Sequence, residues 1–323
     1  MKGNYELQHK VALLDPYGSV VRVFDADPEA VLVGIKNIHS IPNTLMHRLE
    51  PHGFALHTID KKSQLAGRAV DTQLINPITG HVMSGSSSGT AINVFAGIND
   101  LGIGNDGGGS VLAPAMCVNI LGFISRRIEP QRDNTGSRPN TDGMVSGNSI
   151  GFMARDKALL YRAIQCATGL APAEDYGHVI SDREYPGVSS EVRQLMDRHA
   201  PRGELTAYLS DLLKECDVLM LTEGPVDLQG FGDSLFGHFD QRTRAIQTQA
   251  EKGYVRVANI AQATALALPQ EGLGMSTLLL CEDKEEKIAR LLKLGLAVQE
   301  VHDPLIERYF LDLNNYFMEG YEV

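Results

Sequence analysis

The sequence predicts an α/β protein built around one main sheet. Two observations predict it. Short runs rich in β-branched residues recur along the chain, and amphipathic stretches of helical length separate them, more densely beyond residue 150. Strands interleaved with helices from end to end favour helical layers packed on a sheet. At 323 residues the chain has the length of one large domain or two ordinary ones, and either buries a sizeable core.

The elements follow in order. Residues 19–24 and 31–36 are β-branched and bounded by turn residues, and 54–59 form a third candidate strand. Residues 88–98 are small and apolar and follow serines able to cap them, which predicts a buried helix. Residues 101–104 form a short strand running into a glycine-rich turn. Residues 157–168 are amphipathic, with Gly169 placed as their stop. Residues 190–199 and 204–215 repeat that helical character. Residues 217–221 form an apolar strand, broken by Glu223-Gly-Pro-Val, and 275–281 form another before a charged helix over 283–296.

Composition excludes several function classes. A net charge of −11 argues against a nucleic-acid partner. The N-terminal ten residues lack an apolar signal core, and no apolar run of membrane length follows. Cys117, Cys166, Cys216 and Cys281 are far apart and form no Cys-x-x-Cys pair, so neither a zinc knuckle nor a disulfide framework is expected. No His-x-x-x-His pair exists among the ten histidines. These features fit a reducing cytoplasm, with no metal and no membrane; a homodimer is the commonest state for soluble oligomers.

Residues 84–115 carry the chemistry. Eight glycines fall in this stretch, together with Ser86, Ser87, Ser88 and Ser110. Glycine at that density lets backbone approach a ligand and supplies unusual dihedrals. Two turns with hydroxyls, at 84–89 and 104–110, flank a segment of helical length.

These residues resemble the signature of the amidase signature family of serine hydrolases, which runs Gly-Gly-Ser-Ser-Gly-Gly-Ser, an alanine-rich helix, then Gly-Thr-Asp-Thr-Gly-Gly-Ser-Ile-Arg-x-Pro. Aligned without gaps, Ser86 falls on the family's bridging serine and Ser110 on its nucleophile. Asp106, Gly108, Gly109 and Pro114 also match. Looser likenesses follow in the family's order at residues 141–156, 216–222 and 259–280. The resemblance implies a compact amidase-signature fold, with a central mixed sheet covered by helices on both faces. It implies a single domain over 1–323, with a catalytic core at about 30–160 and a helical and late-strand substrate side at about 160–323.

The implied activity is hydrolysis of a small, non-peptide amide by a Ser-cisSer-Lys triad through an acyl-enzyme. The family's lysine lies on an early strand, and residues 32–38 (Leu-Val-Gly-Ile-Lys-Asn-Ile) match its segment best, making Lys36 the base; Lys61 and Lys62 are competitors nearer to Ser86 in the chain. Residues 53–60 resemble the strand that follows the family's lysine. The Lys36-to-Ser86 connection is shorter than the family's usual one, a change that costs only about 0.6 kcal/mol per doubling of loop length. A serine hydroxyl is a weak nucleophile at neutral pH and needs its proton removed. Lys36 accepts that proton only when uncharged, which requires burial among dipoles. Ser86 relays the proton, and in the family it follows a cis peptide. Backbone amides of Gly107, Gly108, Gly109 and Ser110 form the implied oxyanion hole, each such donor being worth about 3 kcal/mol. Ser87 and Ser88 support the site by hydrogen bonding, and Asp106 orients the loop. No cofactor is implied, and the partner is a small amide substrate. The family's arginine two places after the nucleophile is Leu112 here, which suggests a neutral or apolar acyl group at that corner. Ammonia transfer to a charged transfer RNA, another role in this family, needs further subunits.

Three rival readings use the same residues. Gly102-Ile-Gly-Asn-Asp-Gly matches the dinucleotide pattern, but Pro114 interrupts the helix it requires. Gly85-Ser-Ser-Ser-Gly matches the nucleophile elbow of an esterase, with Ser87 as nucleophile and His238 or His302 as its base. An inert scaffold on an amidase-like frame is the third.

Overall fold

A computed structural model describes residues 4–63, 68–130, 140–144, 146–299, 301 and 303–317. Its first part comprises α1 (Tyr5–Leu14), β1 (Val20–Val23), β2 (Val31–Lys36), α2 (Asn43–Leu49), β3 (Phe54–Asp60), α3 (Ser88–Phe95), β4 (Leu101–Asp106), α4 (Leu112–Cys117), β5 (Leu121–Ser125) and β6 (Ser149–Ala154). The second comprises α5 (Lys157–Thr168), β7 (Val179–Ser181), β8 (Glu191–Val192), α6 (Arg202–Glu215), β9 (Val218–Glu223), α7 (Gln241–Thr248), β10 (Ala263–Pro269), β11 (Ser276–Glu282), α8 (Glu285–Ala297) and α9 (Pro304–Phe310).

Eleven strands from both parts form one mixed sheet in the order β1-β3-β2-β4-β6-β5-β10-β11-β9-β7-β8. Strands β3, β2 and β4 run parallel at the half that holds the glycine turns. Strands β4, β6, β5, β10, β11 and β9 pair antiparallel through the middle.

Side-chain alternation along each strand divides the core into two layers. On β11, Leu278 and Leu280 join the layer of Ile92, Leu112, Leu205 and Leu209, while Leu279 and Cys281 join that of Leu45, Leu160, Ile164 and Leu291. Helices α3, α4 and α6 therefore cover one face, and α2, α5 and α8 the other. Burial on both faces explains why β5 and β6 are largely apolar without alternation. Helix α5 starts at an Asp156 cap and stops where Gly169 turns left-handed, at φ +74°.

Several sequence expectations are corrected. Residues 190–199 form no helix: they hold the two-residue strand β8 and irregular chain. The buried helix ends at Phe95 rather than residue 98. Pro114 does not break α4; it sits in that helix's first turn, where proline's missing N–H costs nothing. The Gly102–Gly107 pattern lies mostly on strand β4 rather than opening a helix, which removes the dinucleotide reading. Among the described residues no helix is long and apolar enough to cross a membrane.

Candidate active site

The site forms at the carboxyl ends of neighbouring parallel strands. Lys36 is the last residue of β2, and Asn105 and Asp106 end β4. The β2–β4 register, Ile35 opposite Ile103, sets those ends side by side. Lys36 is 2% exposed, so its amine is shielded from bulk water. Its Nζ donates to Ser86 Oγ at 2.7 Å and to Asn105 Oδ1 at 2.8 Å. Lys61 points elsewhere, donating to Gln73 at 2.6 Å with Asp71 3.8 Å away. Of the competing lysines, the structure brings Lys36 to Ser86.

The turn carrying Ser86 is shaped by Gly85, whose φ of +92° is unfavourable for any other residue. The Pro114 ring also occupies the space that a Cβ on Gly85 would need. Ser86 itself is partly exposed. The peptide before it is trans; among the described residues the cis bond is Gly224–Pro225. This corrects the cis-serine expectation. Upstream, buried Ser84 donates to Asp227, which also accepts the Gly232 amide at 2.9 Å. Lys252 Nζ donates to Gly232 O at 2.5 Å and approaches Ser84 Oγ at 3.4 Å. Burial raises the Asp227 carboxyl and lowers the Lys252 amine from their ordinary values, each opposed by the other's charge.

Ser110, partly exposed, lies in the adjoining turn, and its carbonyl accepts the Ser87 amide at 3.2 Å, tying the two serine turns together. Each turn opens a short helix, α3 after Ser87 and α4 after Val111. Among the described residues the Ser86 and Ser110 hydroxyls do not hydrogen-bond each other. Buried Asp106 organises the second turn. One carboxylate oxygen accepts the Gly108 and Gly109 amides at 2.9 and 2.6 Å, the other those of Val111 and Leu112 at 2.7 and 3.3 Å.

That arrangement changes the expected oxyanion hole. The amides of Gly108 and Gly109 are engaged by Asp106, which leaves Gly107 from the three glycines first named. Ser87 and Ser88 also depart from expectation: both hydroxyls are fully buried and have no hydrogen-bond partner among the described residues. A nucleophile elbow needs an accessible hydroxyl, so burial removes Ser87 from that role. His238 is bonded to Asp142 at 3.0 Å, and His302 lies outside the described residues. Leu112 is buried in the core.

Asn105 is the residue that the sequence did not single out. Its signal was present: the family signature has threonine before the aspartate, and this chain has a longer side chain there. Lys252 and Asp227 offered no such signal, since they lie 168 and 143 residues from Ser84.

The amidase family model matches residues 72–196, which include both serine turns. Over that region the chain is similar to the amidase family. Among curated relatives, a glutamyl-tRNA(Gln) amidotransferase subunit of Methanothermobacter thermautotrophicus is 28% identical over 137 residues, 41% of this chain and 29% of that protein. Amidase 1 of Arabidopsis thaliana is 40% identical over 88 residues, 27% of this chain and 20% of that protein. The matched segments thus span less than a third of those two relatives. Lys36 lies outside the matched amidase region.

Solved amidase-family structures extend the likeness of fold to nearly the whole chain. The substrate complex of a 6-aminohexanoate cyclic dimer hydrolase aligns with TM-score 0.62 and 12% identity, covering 94% of this chain and 95% of the other. A glutamyl-tRNA(Gln) amidotransferase subunit from Thermotoga maritima gives TM-score 0.57 and 13% identity, covering 90% of each chain.

Proposed function

We propose that this protein hydrolyses the C–N bond of small amides, with Ser110 as nucleophile, Ser86 as proton relay and Lys36 as base. The observation that carries this reading is the contact between buried Lys36 and Ser86, in a turn tied to the one that bears Ser110. The step requires the Lys36 amine uncharged. Ser110 Oγ attacks the amide carbonyl as its proton passes to Ser86, whose own proton passes to Lys36. The carbonyl oxygen takes up negative charge facing the Gly107 and Ser110 amides. Collapse breaks the C–N bond, and the nitrogen leaves with a proton returned through Ser86. Water, deprotonated by the same relay, then cleaves the acyl-enzyme and releases the acid.

Asn105 accepts from Lys36 through a neutral carbonyl oxygen, holding Nζ toward Ser86. A panel of primary amides with an ammonia readout tests the reading, comparing the native chain with Ser110→Ala. Turnover lost with Ser110→Ala supports it. An absence of turnover in the native chain, with ligand binding retained, favours the inert scaffold instead.

A further inference from the structure

The backbone of the Ser110 turn packs directly on the segment that contains Arg256. A Cβ on Gly108 would lie 3.5 Å from the Arg256 carbonyl, and one on Gly109 would lie 3.1 Å from that of Val255. Arg256 also lines a cavity of about 70 Å³. Its basic lining residues are Arg202, Lys252, Arg256, His199 and His238, with Asp142 as the acid among them.

Asp142 is already engaged, by Arg202 at 2.7 Å and His238 at 3.0 Å. Lys252 reaches back to the Ser84 turn, and His199 lies 3.4 Å from Glu251. Arg256 differs from these. Its Nη2 donates to the carbonyls of Arg198 and Ala200, at 2.9 and 2.5 Å, which anchor it without neutralising it. Its Nε is buried and has no hydrogen-bond partner among the described residues. Burial holds both Arg256 and Lys252 below their ordinary pKa values, and the positive field of Arg202 adds to the effect on each. Cations that repel one another in a small recess are stabilised by an anion entering it. A planar guanidinium fork favours a carboxylate in particular.

We infer that this cavity receives a carboxylate of the substrate, so that the amides processed are those that also carry an acid group. This rests on the hydrolysis reading for its consequence, but the binding stands apart from turnover. It also replaces the neutral corner suggested by Leu112, whose side chain faces the core.

The test compares succinamate with butyramide, which has the same chain length and no acid. Binding to Ser110→Ala is measured by calorimetry, and ammonia release is measured with the native chain. Succinamate is expected to bind about 10- to 100-fold more tightly, the range for one charge-assisted pair. Arg256→Gln is expected to erase that gap. Arg256 also anchors two carbonyls, so Ser234→Asp provides a second variant: it sets an acid on the cavity wall and is expected to weaken succinamate binding selectively. Equal binding of the two amides, or a gap that survives both substitutions, overturns the inference. Tight succinamate binding without ammonia release keeps the cavity assignment and removes the hydrolysis reading. Ammonia released from butyramide in preference to succinamate overturns the carboxylate subsite while keeping hydrolysis.

Discussion

Lys36 Nζ donates to Ser86 Oγ at 2.7 Å, joining residues fifty positions apart at the end of strand β2 and in the turn before helix α3. The same amine is held by Asn105. If this contact moves the proton, Lys36→Met, close in shape and unable to accept a proton, lowers kcat by roughly 10²–10⁴, the usual range for a lost general base. KM is expected to change little, because Lys36 is not placed against the substrate. Steady-state kinetics on a reactive amide, with thermal unfolding as a control for folding, check this.

Asp106 governs the shape of the nucleophile turn. Asp106→Asn turns an NH₂ group toward two of the four backbone amides that the carboxylate now accepts. A loss on the order of 3 kcal/mol in stability is expected, since buried donors are left unsatisfied next to a mismatched donor. Urea denaturation measures it, and an unchanged midpoint would remove Asp106 from this role.

Gly85 is constrained twice, by its left-handed φ and by the ring of Pro114. Gly85→Ala is expected to cost about 1–3 kcal/mol and to shift Ser86 away from Lys36. The control is Gly187→Ala, also at positive φ but with open space around it. Gly187→Ala is expected to lower stability without lowering kcat, whereas Gly85→Ala lowers both.

Asp60, at the end of β3, gives the stability a pH dependence. Burial raises its carboxyl from 3.8 to about 6, against hydrogen bonds from Thr58 and Asn93. Below the unfolded value both states are protonated and the group contributes nothing. Between 3.8 and about 6 the unfolded chain ionises while the folded one stays protonated, so stability falls as pH rises through that window. The fall is on the order of 3 kcal/mol and is complete above the folded value. Asp60→Asn is expected to remove this slope relative to the native chain, read from denaturation midpoints across the window. Identical slopes would count against the burial assignment.

The parts of the fold visible in the sequence are those with local signals. Strand β2, helix α5 with its Gly169 stop and helix α6 declare themselves by composition and spacing. Strands β5 and β6 do not, because burial on both faces removes the alternation that marks a strand. Residues 190–199 have a helical pattern, yet their chain pairs Glu191 and Val192 at the sheet edge and then runs irregularly to α6. At the site, the glycine turns advertise Ser86 and Ser110 through a fixed spacing. The engagement of Gly108 and Gly109 by Asp106 is invisible in one dimension, since it depends on how tightly the turn curls. The cationic cavity is hidden for the same reason: Arg202, Lys252 and Arg256 converge with Asp142 only after the sheet is assembled.

Labelling with a fluorophosphonate, followed by peptide mapping, tests the central claim most directly. The phosphonyl group is expected on Ser110, absent from Ser110→Ala and much slower to form in Lys36→Met. Attachment at Ser87, or labelling at Ser110 that is indifferent to Lys36, would contradict the proposed proton path.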